Sequence, residues 1–449
     1  MRWRRLGLAA AVFLSGCAVY HARPLRKPAL AALKAPSRAR LRAAASHLPR
    51  PLAPLKLDFR KPLTGAELGI ISVLANPALR ALRARDRVAN AQAFNAGLLP
   101  DPVIDYAALR PYGPNTAGHT TSLAYGFLWD LSALLTHGAT VRKARFHARS
   151  VEAQVAWQEW VMANRTRMAA IHLYWLRRER AVTQAVLPLW HRADRMLAAD
   201  VARGVVTPAR FALWARQYLT VHAQACRLAR AATGARLALN ADLGLGPAAR
   251  PWLAAPHGPP PPRAGAATLF RRARTHRLDL AALAAAYHSA QQGVLQAVLN
   301  QYPQLSLGLA GARNTSGITS AGIQIGLVLP IFTGNRGQIA IARARRLAAF
   351  RDYVARLAHA RAQIYALRAR VASLYREMRA TRARDHRLRR LVRHLHRAHV
   401  RRDIGLLRLL RIAGPATSAL EQDMAIADRY AQARVALQTA TGTPWRLSR

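Results

Sequence analysis

The sequence predicts a mainly α-helical chain with a small β part, built as two copies of a β-hairpin followed by a long helix. Three observations carry that prediction. The stretch Ser320–Phe332, SAGIQIGLVLPIF, alternates strictly, with Ile323, Ile325, Leu327 and Leu329 on one side and Gly322, Gln324, Gly326 and Val328 on the other. Period two is the pattern of a strand with one apolar face and one small or polar face. From Gln338 to Ile404, 67 residues pass without Gly or Pro. The same order of features also recurs at an offset of about 200 residues, the mark of an internal repeat.

Taken in order, RWRR precedes an apolar run Leu6–Leu14 and then LSGC, which reads as a leader over residues 1–16. Residues 17–63 form an extended segment; Arg23–Pro62 is rich in Pro, Arg and Ala. The first repeat, 64–250, opens with a half-length helical pattern, Gly65–Gly97. LLPDPVIDYAAL then gives a strand at about 102–110, and TSLAYGFLWDL a second at 120–131 with Leu123, Tyr125, Phe127 and Trp129 on one face. Aromatic residues toward a strand end suit a membrane interface. A long helix follows at 139–203, bent at Pro188, and a half-length one at Pro208–Ala241. Residues 251–265 contain PHGPPPPRAG, a stiff linker. The second repeat, 266–449, repeats the plan with a half-length pattern Ala266–Asn300, strands at 303–312 and 320–331, the long helix 338–404 and a half-length pattern Pro415–Thr441. The 67-residue helix would run about 100 Å at 1.5 Å per residue. Two half-length helices stacked end to end match one long one, which is the arithmetic of a tall helical wall.

The formal charge is +49, or +46 without Arg2, Arg4 and Arg5 of the leader, and arginine carries nearly all of it. Such a balance raises a nucleic-acid reading, but the arginines are spread along whole helices and not gathered in one arm. A compositional bias, or an acidic compartment where carboxylates are protonated, is the preferred account of the charge. No apolar run reaches the roughly 18 residues of a membrane helix. A nucleotide-binding glycine loop, HExxH and a nucleophile elbow are all absent, so no enzyme and no cofactor are expected. His394, His396 and His399 in HLHRAH do not share one helix face and sit among arginines, so they read as a solvated face with no metal. Cys226 falls inside a helical pattern and is expected as a small buried apolar side chain.

Two hairpins make four strands. The apolar face could meet a protein core or lipid, but an open four-stranded sheet cannot sit in lipid, because its edge groups would lack partners. Closure there requires strands from other copies. Three copies would give twelve strands, and the counting leaves other multiples open.

Leu14-Ser15-Gly16-Cys17 resembles the lipobox of bacterial lipoproteins, in which the cysteine is acylated; Ala18 after it resembles the outer-membrane sorting class. The run Leu278–Gly311, LDLAALAAAYHSAQQGVLQAVLNQYPQLSLGLAG, and Gly322–Ala344, GIQIGLVLPIFTGNRGQIAIARA, resemble the TolC-like outer-membrane efflux family, in its lipoprotein branch paired with RND-type pumps. Asn76–Pro102 is similar to the members that serve heavy-metal exporters. The resemblance implies a homotrimer with a 12-stranded transmembrane β-barrel continued by a periplasmic α-helical tunnel. It also implies a lipid anchor on Cys17, a periplasmic adaptor and an inner-membrane pump as partners, and passive exit of small toxic solutes such as metal ions or drugs.

By the same resemblance, the helical hairpin tips meet the adaptor. In VARGVVTPARF, Gly204, Val205 and Thr207 match the family's glycine and hydroxyl positions. An offset of 198, counted from Gly244 to Gly442, sets Arg402 opposite Gly204. Where the family commonly carries acidic residues six and nine positions on, this chain has Arg408 and Arg411, so arginine rings with Leu407 as an apolar constriction are expected, favouring anions. A type I secretion outlet, an arginine-rich nucleic-acid binder and a structural lipoprotein tether are the competing readings.

Overall fold

The computed structural model describes residues 20–26, 29, 34–47, 52, 56–114, 118–256 and 258–443. Cys17 and the leader lie outside the described residues. The elements run α1 (Arg38–Ala45), α2 (Gly65–Ala75), α3 (Pro77–Asn95), β1 (Val103–Leu109), β2 (Ser122–Asp130), α4 (Ser132–Ala202), α5 (Pro208–Asp242), α6 (Ala266–His276), α7 (Leu278–Leu299), β3 (Gln304–Arg313), β4 (Thr319–Val328), α8 (Arg336–Val400) and α9 (Leu406–Thr441). Among the described residues no helix is long and apolar enough to cross a membrane.

Helix α4 is the spine, and α2, α3, α5, α7 and α9 all pack on it, while α8 packs on α6, α7 and α9. At 71 and 65 residues, α4 and α8 span roughly 105 and 98 Å. The half-length helices meet end to end, and the two repeats solve the junction alike. Asn76 stops α2 and caps α3: its side-chain oxygen accepts from the Ala78 and Leu79 amides, and its Nδ2 donates to the Asp242 carbonyl at 3.0 Å, at the end of α5. Arg277 stands between α6 and α7, and its Nη1 donates to the Ala440 carbonyl at 2.9 Å, near the end of α9. Asp242 and Ala440 are again 198 residues apart. Two residues on, Gly244 and Gly442 turn the chain at φ +62° and +64°; a Cβ there would come within 2.9 Å of Ala75 O and 2.8 Å of His276 O. Only glycine satisfies both the torsion and the approach.

The largest core cluster surrounds Trp160, with Leu68, Ile70, Val73, Leu79, Leu173, Leu239 and Leu243; Leu41, Leu52 and Leu57 of the N-terminal segment close over it. Trp160 Nε1 donates to the Thr439 carbonyl at 3.2 Å, which ties the first repeat to the second. Arg277, 3 % exposed, is paired with Asp279 at 2.7 and 3.0 Å, and its guanidinium lies 4.8 Å from the Trp157 ring centre. A buried charge of this kind persists only with such compensation. The linker is pinned where Tyr430 Oη donates to Pro259 O at 2.6 Å, and the bridge Leu63–Leu253 holds the N-terminal segment beside it.

Several expectations change. The pattern Gly65–Gly97 breaks at Asn76, and Ala266–Asn300 breaks at Arg277. Helix α9 does not begin at Pro415: it begins at Leu406 and runs through the proline, because burial of Leu406, Leu409, Leu410 and Ala413 in one cluster outweighs one lost backbone bond. Helix α4 begins seven residues before Ala139 and tolerates Gly138. Cys226 is exposed, since the buried stripe of α5 runs through Ala225, Leu228, Ala232 and Leu239. Replacing Trp160 by Ala is expected to cost about 3–5 kcal/mol, read as a lower midpoint in the thermal loss of helical circular dichroism.

Candidate functional site

Three places carry the features that chemistry or transport would use: the sheet, the two helix tips and a polar cluster in the wall. The sheet is fully antiparallel in the order β1-β2-β3-β4, so the two hairpins join side by side through β2 and β3. Paired residues in an antiparallel ladder point to the same side. The register therefore sets Ile104 beside Phe127, Tyr106 beside Tyr125, Trp129 beside Leu307, Phe127 beside Leu309, and then Leu305, Leu307 and Leu309 beside Leu327, Ile325 and Ile323. All of these share one face with Leu123. The other face carries Asp105, Ser122, Ala124, Gly126, Ser306, Gly308, Ala310, Ser320, Gly322, Gln324 and Gly326, with the larger Val103, Leu109, Leu128 and Val328 toward the strand ends.

The apolar face is open to its surroundings: Ile323 is 72 % exposed, Ile325 67 % and Ile104 77 %. Leu329 lies one residue past the end of β4 and is also exposed. Trp129 sits half-buried at the helix-proximal end of β2, where its Nε1 donates to Pro100 O at 2.9 Å. Gly311 leaves room for the ring of its partner Tyr125, which a Cβ would meet at 2.4 Å. Reading the alternation of β2 and β4 finds two strands of this face. Ile104, Tyr106, Leu305, Leu307 and Leu309 complete it, and the signal for them was the same period two in VIDYAAL and QLSLGLAG.

At the tips, the repeats superimpose in their hydrogen bonds. The Gly204 amide donates to Val201 O and the Val205 amide to Asp200 O; the Arg402 amide donates to His399 O and the Asp403 amide to Ala398 O. Each pair is offset by 198. Gly204 has φ +74° and Arg402 φ +68°, so Arg402 holds a left-handed conformation without glycine's freedom. Thr207 caps α5 with its Oγ1 accepting from the Arg210 amide at 3.4 Å, and Pro208 occupies the first turn. Gly204, Val205, Thr207 and Arg402 are exposed together with Arg408 and Arg411. The two arginines are three residues apart and share one face of the first turns of α9. Leu407 is half-buried and packs on the cluster of Trp190, Ala193, Leu406, Leu409, Leu410 and Ala413. Nδ1 of His399 lies 3.1 Å from Ile404 O and braces the turn, and among the described residues no group of metal-ligating side chains forms.

In the wall, α4 and α9 bring together acidic groups beside α5, in a chain that has only 20. Asp428 lies 2.7 Å from His172 Nδ1, and Glu421 meets Thr183 Oγ1 at 2.5 Å and Gln224 Nε2 at 3.4 Å. Glu179, beside a cleft of about 390 Å³, is pushed up to about 7 by burial and then by Asp428 and Glu421, partly offset by Arg227 and His172. The hydrogen bond to Asp428 raises His172 despite burial. Sequence reasoning missed this cluster; the shared spacing of seven in His172–Glu179 and Glu421–Asp428 was its only trace.

Both shifts have the same sign, since each group holds its proton more tightly when folded. Folding takes up protons between the ordinary 4.5 of a glutamate and about 7, so stability is greatest below that window and falls as pH rises through it. Thermal midpoints measured from pH 5 to 8 are expected to decline, and Glu179→Gln is expected to flatten most of the decline. Replacing Arg402 by Gly is expected to stabilise the chain by about 1 kcal/mol through relief of the left-handed strain, measured as a raised thermal midpoint.

No protein-family model matches the chain, and no curated protein matches it in sequence. Solved structures do match. The chain is similar to the outer membrane channel CmeC of Campylobacter jejuni, with 14 % identity over 89 % of this chain and 91 % of that one at a TM-score of 0.69. It is similar to the MtrE outer membrane channel of Neisseria gonorrhoeae in its open state, with 17 % identity, 85 % and 89 % coverage and a TM-score of 0.67. It is also similar to the outer membrane protein VceC from Vibrio cholerae, with 19 % identity, 84 % and 96 % coverage and a TM-score of 0.65. Identities this low speak for architecture, and that architecture, with its two joined hairpins and end-to-end helical wall, is the fold of the TolC-like outer-membrane channels.

Proposed function

We propose that the chain is the outer-membrane channel of a tripartite export system, a passive exit duct for small toxic solutes such as metal ions or drugs. Three copies pool four strands each into a closed 12-stranded barrel, and their long helices form the periplasmic tunnel below it. Cys17 carries the lipid anchor. The tips at Gly204, Val205, Thr207 and Arg402 meet a periplasmic adaptor, which links the duct to an RND-type pump in the inner membrane. The chain itself is no enzyme, and energy comes from the pump.

One observation carries this reading: a sheet with an exposed apolar face, an opposite face whose middle is small and polar, and outer edges on β1 and β4 that have no strand neighbour among the described residues. In lipid such a sheet is stable only when closed. That opposite face then lines the pore, and glycines at 126, 308, 322 and 326 keep it wide. The likeness to CmeC, MtrE and VceC supports the same architecture. Where Arg408 and Arg411 ring the narrow end, focused positive charge favours anions.

The functional test is a strain lacking the chain: heightened sensitivity to toxic organic compounds or metal ions is expected, and unchanged sensitivity to both would count against export. In planar bilayers under a salt gradient, the purified protein should show a reversal potential on the anion side. The Arg408→Ser, Arg411→Ser double variant should move it toward zero; a cation-side potential in the parent would contradict the arginine ring.

A further inference from the structure

A cleft far from the sheet and the tips gathers four guanidinium groups and no carboxylate. It lies where α4 and α5 face the segment that joins α5 to α6, and Arg177, Arg180, Thr233, Arg236, Arg250 and Trp252 line it around a volume of about 590 Å³. Arg177 stands 25 residues before the end of α4, roughly 38 Å from the tip. The cleft therefore belongs to neither the pore face of the sheet nor the helix ends that the proposed function uses.

Two of the four arginines are fixed in place. Arg177 Nη1 donates to Pro251 O at 3.1 Å, and Arg236 Nη1 donates to Pro247 O and Ala249 O, at 3.2 Å to the latter. Each has five N–H donors, so both keep free donors beyond those carbonyls. Arg180 meets the neutral carboxamide of Gln184, and Arg250 is exposed. The like charges oppose one another: burial first, and then Arg236 and Arg250, lower the proton affinity of Arg177, with no carboxylate acting the other way. Trp252, 62 % exposed, adds a flat apolar wall. Three arginines elsewhere, Arg83, Arg277 and Arg384, are paired with the carboxylates Glu159, Asp279 and Asp423, while Arg167 meets the neutral carboxamide of Gln438. None of those places gathers four guanidinium groups around one cleft. Here the compensating negative charge is missing from the chain. Planar guanidinium forks suit bidentate contact with a tetrahedral oxyanion.

We propose that this cleft binds a multivalent oxyanion of the phosphate or diphosphate class, one per chain. The anion offsets the mutual repulsion of the four arginines and ties the segment after α5 to α4.

The test is calorimetric titration of pyrophosphate into the full-length protein in a neutral detergent at fixed salt. One site per chain is expected, with affinity falling at least tenfold in the Arg180→Gln, Arg250→Gln double variant, whose side chains hold no backbone carbonyl. The Arg343→Gln, Arg345→Gln variant on α8 removes the same charge from exposed positions and should bind as the parent does. A single Arg250→Gln variant, at an exposed position, should show a partial loss if the double variant fails to fold. Arg177 stands 45 residues, roughly 68 Å, from the sheet end of α4, beyond the reach of a bilayer headgroup. A free anion is therefore the ligand, and equal pyrophosphate binding is expected in nanodiscs of phosphatidylcholine and of anionic phospholipid. Weaker binding in the anionic discs would overturn the free anion. Parent-like binding by the Arg180→Gln, Arg250→Gln variant, or an equal loss in the α8 variant, would overturn the site. So would a changed oligomeric mass of the former, which would assign the cleft to contact between copies.

Discussion

The backbone groups along the outer edges of β1 and β4 set the terms for the rest of the molecule. Each interior strand spends its amides and carbonyls on two neighbours, while these two spend theirs on one. In water an edge is tolerable; in hydrocarbon each unmet group costs several kcal/mol. The exposed apolar face of Ile323, Ile325, Leu309 and Phe127 makes water a poor surrounding for the same sheet. The proposed function meets both demands at once, with the edges paired by strands from other copies and the apolar face against lipid. On the proposed closure, the face whose middle is small and polar falls on the inside, where bulk would narrow the passage.

On the proposed function the helices follow from the sheet, because each hairpin is carried on something that reaches away from the membrane. The internal repeat supplies it twice. Halfway along the wall, Asn76 and Arg277 make the corresponding bond to Asp242 and Ala440; at its far end, Gly204 and Arg402 turn the chain with the same pair of hydrogen bonds. An offset of 198 holds at both places, so the two repeats kept their length between junction and tip. They diverged in chemistry, and the second tip carries arginine where the first carries glycine. Between junction and tip, Glu179, Glu421, His172 and Asp428 form a proton-holding patch between α4, α5 and α9, an acidic island in a basic chain.

Much of this was legible in the residues. Strict alternation identified β2 and β4 with their apolar faces, the Gly- and Pro-free run identified α8, and the resemblance carried by Leu278–Gly311 is matched at the level of fold. The failures have physical reasons. Pro415 looks like a helix start, yet a proline removes only one bond, and the buried leucines before it extend α9 to Leu406. Cys226 looked like core because cysteine is usually buried, but one position decides which face of α5 a side chain takes. The acidic patch joins residues 238 and 256 apart, and no local pattern announces such a contact. The arginine cleft was invisible for the same reason: its members come from two helices and a linker, in a chain where arginine is everywhere.

The central claim is that adjacent residues of β4 face different solvents, and power-saturation spin-label spectroscopy measures that directly. With Cys226 changed to Ser, labels are placed through Ile325→Cys and Gln324→Cys in protein reconstituted into bilayers. The account predicts that the label at 325 is relaxed by oxygen dissolved in lipid and shielded from a water-soluble nickel complex, while the label at 324 shows the reverse. Equal access of the nickel complex to both positions would contradict it.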